Sequence, residues 1–147
     1  MSSEENKKLM RQFTADFNSF KGDAIKIRAL YEKFLAPNYV GHNLLSGDMN
    51  REKRIQSVVM SASVIPDLNY TEEDMIAEGD RVVTRYTARF THTGPFMGIP
   101  PTGKQIAVRG VQINRIVDGK NAETWDFMDY MGVMTQLGVM PGTQAIK

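Results

Sequence analysis

The sequence contains no cysteine and no long apolar run, and its formal net charge is only +1. Without cysteine there are no disulfides, no thiolate nucleophile and no Cys-ligated zinc. No apolar stretch approaches the roughly 20 residues that a transmembrane helix needs. The polar start at residues 1–8 does not resemble a secretory signal, and no dense run of Lys and Arg marks a nucleic-acid surface. We therefore expect a cytoplasmic protein that binds neither membranes nor nucleic acid.

The length and apolar content are those of an ordinary globular domain. With 147 residues, of which 41% are hydrophobic, the chain can bury a sizeable core. We predict a single domain over residues 1–147. The 10 methionines either fill gaps in the core or form an adaptable pocket lining.

The first half of the chain has helical periodicity. Apolar residues recur at helical spacing over residues 3–20 and again from Asp23, a candidate cap, to Phe34 before Pro37. A short β-like piece at residues 38–43 and a loop at residues 46–49 follow. Asn50 then caps a third amphipathic helix that continues to about Val64.

The second half has the alternation typical of strands. We predict strands over residues 68–78, 81–92 and 104–117, with a bulge at Gly110. The turn Asp118-Gly119 leads into a further strand, and a short helix covers residues 132–137. Along the last strand the side chains alternate: Glu123, Trp125, Phe127 and Asp129 share one face, and Thr124, Asp126, Met128 and Tyr130 share the other.

Helices followed by a long meandering antiparallel sheet form the α+β pattern. A strongly bent sheet wrapped on N-terminal helices leaves a cone with an open mouth. The predicted fold is therefore a cone-shaped α+β barrel with an interior pocket.

Several short motifs occur together over residues 39–141. They are Tyr39-Val40-Gly41-His42, Pro66-Asp67-Leu68, Glu78-Gly79-Asp80-Arg81-Val82, Thr91-His92-Thr93-Gly94, the Gly- and Pro-rich residues 96–104, Asp118-Gly119-Lys120, Glu123-Thr124-Trp125 with Asp129, and Gln136-Leu137-Gly138. In this order they resemble the SnoaL-like polyketide cyclases of the nuclear-transport-factor-like superfamily.

The resemblance implies a reaction and roles for three residues. It implies a cofactor-free, metal-free aldol-type ring closure on an aromatic polyketide ester. The position that matches the general acid/base aspartate is Asp129, and His42 and His92 match positions that face the pocket. A homodimer formed through the convex face of the sheet is likewise an expectation from the family.

The chemistry expected at Asp129 follows from its neighbours. A carboxylate beside Trp125 and Phe127 would be desolvated, which raises its pKa and strengthens it as a base. The alternative for Asp129 is a residue at the end of a strand that caps the following turn or pairs with an arginine. His42 and His92 either orient a substrate carbonyl or relay a proton, or they are buried and hydrogen-bonded without a chemical role.

Further residues are predicted to line a pocket for a hydrophobic small molecule. They are Tyr39, Asn43, Tyr86, Phe90, Phe96, Met97, Ile99, Trp125 and Phe127. The loop at residues 93–103 is either a lid over the ligand or a Pro-stiffened rigid loop. We predict no metal site, because no Asp or Glu stands at ligand spacing from the two histidines.

Other reactions known on the same fold are alternatives to ring closure. Epoxide hydrolysis of the limonene type uses an arginine that bridges two aspartates, one of which activates water. Arg89-Phe90-Thr91 has no carboxylate two residues after the arginine, which counts against this reaction. Ketosteroid-type isomerisation needs a tyrosine near the catalytic acid, which the sequence alone cannot place. A non-enzymatic small-molecule binder or a dimeric interaction module is the alternative outside enzymes.

Overall fold

The computed structural model describes residues 1–139. Residues 140 and 141, at the end of the stretch that carries the family resemblance, lie outside the described residues. The elements in chain order are α1 (Ser3–Ser19), α2 (Ala24–Phe34), β1 (Leu35–Asn43), β2 (Gly47–Asn50), α3 (Arg51–Val64), β3 (Asn69–Glu78), β4 (Arg81–Thr91), β5 (Gln105–Val117), β6 (Lys120–Met128) and α4 (Tyr130–Leu137).

The predicted α+β fold is confirmed, with one difference in the sheet. The strands form a single six-stranded, strongly curved sheet in the order β2-β1-β6-β5-β4-β3. β1 runs parallel to β6, whereas the other neighbouring strands are antiparallel. The predicted antiparallel meander is formed by β3 to β6. The N-terminal strands β1 and β2 extend this sheet, because β1 pairs in parallel with the last strand, β6.

The N-terminal helices begin where their capping residues indicate. The side chain of Asp23 accepts a hydrogen bond from the Lys26 amide at 3.1 Å, and that of Asn50 accepts one from the Lys53 amide at 2.9 Å. Each cap satisfies an amide that has no partner within its helix. The two predicted caps are confirmed. The predicted loop before Asn50 instead forms the short strand β2, which pairs with β1.

The helices close one side of the curved sheet over the larger of two apolar clusters. This cluster joins α1, α2 and α3 to the inner face of the sheet, with Ile27, Ile55 and Val82 fully buried. The second cluster packs α4 and the loop at residues 93–103 on β4 and β5. α1 is fastened to β3 by Asn18, whose side chain exchanges two hydrogen bonds with the Tyr70 backbone at 2.8 and 2.9 Å. No helix within residues 1–139 is long and apolar enough to cross a bilayer.

Gly110 does not form the predicted bulge. The register of β4 and β5 is continuous past Tyr86 and Gly110, and the irregularity in β5 falls between Arg115 and Ile116, opposite β6. Gly110 instead makes room for a neighbour, because a Cβ atom at this position would lie 2.5 Å from Cζ of Tyr86. The absent side chain allows the Tyr86 ring to lie across β5 toward the interior.

Replacing Gly110 by Ala should destabilise the protein by about 1–3 kcal/mol, the usual cost of overpacking a filled interior. Urea unfolding followed by circular dichroism measures this change. Gln105→Ala, an exposed substitution on the same strand, is the control and should stay within about 0.5 kcal/mol of the parent. An unchanged urea midpoint for Gly110→Ala would show that Tyr86 can move aside freely.

Candidate active site

The interior of the cone contains a cavity with two neighbouring lobes, each of about 60 Å³. The first lobe lies between α1, α2 and the sheet and is largely aromatic and apolar, and the second lies between β1, α3 and β6. Tyr39, Arg54 and Thr124 border both lobes. Asp126 lines the second lobe. The cavity therefore combines apolar walls with a small number of charged and polar groups.

Asp126 reaches the interior because of the alternation along β6. Thr124 is buried on the inner face, whereas Phe127 is 46% exposed on the outer face. Burial raises the pKa of Asp126 above its ordinary value. The positive charge of Arg54 and a hydrogen bond from Tyr86 oppose that rise. The result is a carboxyl group held in a desolvated but polar setting, as a general base requires.

Tyr86 is the direct partner of Asp126. Its phenolic hydroxyl donates to Oδ1 of Asp126 at 2.9 Å, from β4 across β5 to β6. Burial raises the pKa of the Tyr86 phenol, and the nearby negative charge of Asp126 raises it further. Tyr86 therefore stays protonated and acts as a hydrogen-bond donor inside the cavity.

The Arg54 side chain borders both lobes and places a positive charge between them. It lies on α3, with its guanidinium carbon 5.6 Å from the centre of the Tyr31 ring. Within residues 1–139 the guanidinium forms no hydrogen bond and no ion pair. It remains charged at any physiological pH.

The polar wall of the first lobe contains one satisfied network and one unsatisfied group. Asn114 Oδ1 accepts hydrogen bonds from Asn121 Nδ2 at 3.0 Å and from the Thr124 hydroxyl at 2.7 Å. Thr84 is 6% exposed, yet its hydroxyl has no hydrogen-bond partner within the described part of the chain. The hydroxyl of Thr84 is therefore available to a ligand in this lobe.

Asp129, the acid predicted from the sequence, lies outside the cavity. It is exposed at the start of α4, and its Oδ1 accepts a hydrogen bond from the Gly132 amide at 2.9 Å. This is the capping role that was considered as the alternative. Trp125 and Phe127 also lie on the outer face of the sheet and do not line either lobe. Catalysis by Asp129 stays a prediction, but the geometry favours Asp126.

His42 borders the second lobe, but its ring is engaged on the outer face of the sheet. Nδ1 lies 2.8 Å from Asp48, and Nε2 lies 2.7 Å from Glu123. The ring also stacks on Trp125 with 5.4 Å between the centres. The hydrogen bonds with Glu123 and then Asp48 raise the pKa of His42 above 6.5. With both nitrogens occupied by carboxylates, His42 has none free for a ligand.

His92 is fully buried and ties down the loop at residues 93–103. Its Nδ1 accepts a hydrogen bond from the Thr102 amide at 3.2 Å, so the proton resides on Nε2, which donates to the Ile99 carbonyl at 3.2 Å. His92 lines neither lobe. Both ring nitrogens therefore hold the loop in place rather than facing a ligand.

The remaining predicted pocket residues divide into two groups. Tyr39 and Tyr86 line the first lobe, and Tyr39 and Asn43 line the second. The others pack in the second apolar cluster, away from the cavity: Phe90, Phe96, Met97 and Ile99. The Phe96 ring lies 5.0 Å from that of Phe90. The packing and the His92 contacts favour the rigid-loop interpretation over a lid.

Sequence reasoning missed the two charged members of the cavity, Asp126 and Arg54. The signal for Asp126 was the alternation itself, which places Asp126 on the same face of β6 as Thr124. Arg54 gave no signal, because it stands among charged residues at the start of α3. Within residues 1–139 no three His, Asp or Glu side chains are arranged to hold a metal ion.

The structure is an α+β cone, in which helices close a curved sheet around a hydrogen-bonded carboxyl–phenol pair. The family model of the SnoaL-like polyketide cyclases matches residues 8–137. The chain therefore belongs to the SnoaL-like polyketide cyclase family.

Individual relatives share the sequence and the fold, and the names they carry point to more than one activity. The chain is 28% identical over 136 residues to the aklanonic acid methyl ester cyclase DauD of Streptomyces sp. (strain C5), covering 88% of this chain and 80% of the relative. Among solved structures, TsrD from Streptomyces laurentii is 32% identical with a TM-score of 0.79, covering 95% of this chain and 98% of TsrD. AclR from Streptomyces galilaeus, which is described as a putative hydroxylase, is 28% identical with a TM-score of 0.82, covering 95% of this chain and 100% of AclR.

The His42 site should make stability depend on pH in a defined direction. Because the folded protein raises the pKa of His42 above 6.5, its stabilising contribution is complete below pH 6.5 and is lost as the pH rises through the folded pKa. Urea unfolding across this range should show the loss in the parent and not in His42→Gln.

Long-range 1H–15N spectra follow the two imidazoles directly. Removing the main acceptor with Glu123→Gln should lower the titration midpoint of His42, and His92 should show the Nε2-protonated tautomer. A His42 midpoint at or below 6.5 in the parent would contradict the hydrogen bonds described here.

Proposed function

We propose that this protein is a cyclase that closes a ring in a hydrophobic carbonyl compound by cofactor-free acid/base chemistry. The observation that carries the proposal is the Asp126–Tyr86 pair, joined at 2.9 Å inside a largely apolar cavity. A positioned carboxylate whose pKa is raised by burial is the group that removes a proton next to a carbonyl. The cyclase activity named for relatives such as DauD supports the same class of reaction.

In the first step the Asp126 carboxylate accepts a proton from the carbon next to a substrate carbonyl. The electron pair of the broken C–H bond forms the enolate, whose negative charge lies mainly on oxygen. Hydrogen-bond donors aimed at that oxygen lower the barrier. The Tyr86 hydroxyl is a donor in reach of the same space, since it already contacts Asp126.

In the second step the enolate carbon attacks another carbonyl carbon of the same molecule. A C–C bond forms, the π pair of the attacked carbonyl moves to its oxygen, and the proton held by Asp126 passes to that alkoxide. The product is an isomer of the substrate, so no oxidant or reductant is needed. Asp126 ends the cycle ionised, as it began.

The apolar walls contribute by excluding water and bending the substrate. Met10, Phe13 and Phe17 of α1 face Tyr31 and Phe34 of α2 across the first lobe. Two lobes of about 60 Å³ hold a few water molecules each. A substrate of several rings is larger than these lobes, so side chains of α1, which line the first lobe, must move outward to admit it.

Proton-shuttle isomerisation is the second candidate, since a specific contact favours it. A ketosteroid-type reaction needs a phenol near the catalytic acid, and the Tyr86 hydroxyl occupies that position. Epoxide hydrolysis finds no such support. Arg89 lies on the exposed face, where its Nη1 donates to Thr71, and Arg54 bridges no pair of carboxylates within residues 1–139.

Replacing Asp126 by Asn should reduce kcat by a factor of about 10²–10⁴, the usual contribution of a general base. The assay is conversion of aklanonic acid methyl ester, the compound in the name of DauD, followed by chromatography. Asp129→Asn is the matched control, because Asn also caps helices well. It should change kcat by less than about fivefold.

The reverse pattern would overturn the assignment of Asp126. If Asp129→Asn abolished turnover and Asp126→Asn did not, the base would be the residue first predicted from the sequence. If the parent bound the ester without converting it, and Asp126→Asn bound it equally well, a small-molecule carrier would replace the cyclase.

A further inference from the structure

The second lobe of the cavity reaches the protein surface at the turn between β1 and β2. Asn43, at the end of β1, lines this lobe together with Asp126 of β6. Ser46 lines the lobe as well, although it is an exposed residue of the turn. A lobe whose lining includes an exposed turn residue opens to solvent at that turn. The base of the proposed function therefore lies below an opening at residues 44–46.

This turn carries two leucines where polar residues are usual. Leu44 is 64% exposed and Leu45 is 60% exposed, whereas surface turns favour Gly, Asn, Asp and Ser. Oδ1 of Asn43 accepts hydrogen bonds from the Leu45 amide at 2.9 Å and from the Ser46 amide at 3.1 Å. Gly47 closes the turn with a φ of 71°, a value that favours glycine. The turn therefore has a defined shape that presents both leucines to solvent.

The start of α4 is joined to the same turn. The Tyr130 hydroxyl donates to Oδ1 of Asn43 at 3.2 Å, which brings the first residue of α4 to the end of β1. Met131, the next residue, is 60% exposed. Burial raises the pKa of the Tyr130 phenol, the hydrogen bond with Asn43 opposes the rise, and the negative charge of Asp126 adds to it. Tyr130 therefore stands between the base and the surface, with exposed apolar side chains beside both ends of its contact.

The size of the cavity leaves part of a polycyclic ligand outside. Each lobe has a volume of about 60 Å³, whereas an apolar cavity of about 150 Å³ is known to bind one benzene molecule. Movement of the α1 side chains makes room for the part of the ligand that reaches Asp126. Further rings extend through the opening at residues 44–46, where the exposed leucines are the first surface that they meet.

We propose that Leu44, Leu45 and Met131 form an outer subsite, here called the rim, for the rings of a flat aromatic ligand that the cavity does not hold. Covering these side chains with an aromatic ring removes apolar surface of both partners from water. Tyr130 suits its place between the rim and the base, because its ring can stack on the ligand while its hydroxyl stays hydrogen-bonded. The proposal rests on the hydrophobic carbonyl ligand of the proposed function, and it adds where the outer rings of that ligand bind.

Three neutral aromatic ketones of increasing length test the rim: acetophenone, 2-acetylnaphthalene and 2-acetylanthracene. Equilibrium dialysis at pH 7 measures the Kd of each ketone. In the parent the step from two rings to three should lower the Kd at least about tenfold, because the added ring covers the rim. The double variant Leu44→Ser/Leu45→Ser should lose this step and keep the parent's affinity for acetophenone.

The matched control is the double variant Ile25→Ser/Ile76→Ser. It also removes two exposed apolar side chains, which are 83% and 67% exposed and lie on α2 and β3. This control should bind all three ketones as the parent does. Because the four positions are exposed, both double variants should fold like the parent, and circular dichroism checks this.

The outcomes are separate from those of the turnover assay, since none of the three ketones can close a ring. The rim is overturned if the parent binds no ketone, if three rings bind no more tightly than two, or if the preference survives in Leu44→Ser/Leu45→Ser. Loss of the preference in the isoleucine control would also contradict it, because adsorption to apolar surface in general would then explain the binding. Each of these results leaves the cyclase proposal standing. A parent that does not convert the ester, but whose ring preference is lost in the leucine variant alone, would keep the rim and remove the cyclase.

Discussion

The contact between the Tyr86 hydroxyl and Asp126 depends on more of the structure than any other interaction in the cavity. It spans three strands, since Tyr86 lies on β4, Asp126 on β6, and Gly110 of β5 between them offers no side chain. Desolvation alone would favour a protonated acid, and the phenol counters this by donating to the carboxylate. Curvature of the sheet, the glycine and the burial of both groups are therefore parts of one arrangement.

The sequence predicted most of the fold because local signals agree with it. Caps at Asp23 and Asn50 and the helical spacing defined α2 and α3, and period-two alternation defined β4, β5 and β6. It did not predict the parallel pairing of β1 with β6, since that contact joins segments about eighty residues apart and has no local signature. Nor did the sequence predict why position 110 is a glycine, because the reason is the Tyr86 ring on the neighbouring strand β4.

The candidate site was harder to predict for a physical reason. Alternation separates two faces of β6 but does not say which of them is inside, and aromatic residues suggested the face of Trp125. That face is outside. It is covered by polar partners, with the His42 ring stacked on Trp125 and the Arg81 guanidinium carbon 5.0 Å from its centre. Arg115 joins them through Glu123 at 3.2 Å. Charged side chains thus lie beside Trp125, where the sequence predicted a hydrophobic ligand pocket. Pairing of two chains through this face stays a prediction.

The parallel pairing of β1 with β6 also governs when the cavity can exist. Tyr39 and Arg54 come from the first half of the chain, and Tyr86 and Asp126 come from the second. They meet only after β6 has inserted between β1 and β5, a contact of long sequence separation that forms slowly. During synthesis the helices and β1 emerge early and must wait, with their apolar faces uncovered, until the final strand leaves the ribosome. Formation of the cavity and completion of the sheet are therefore the same event.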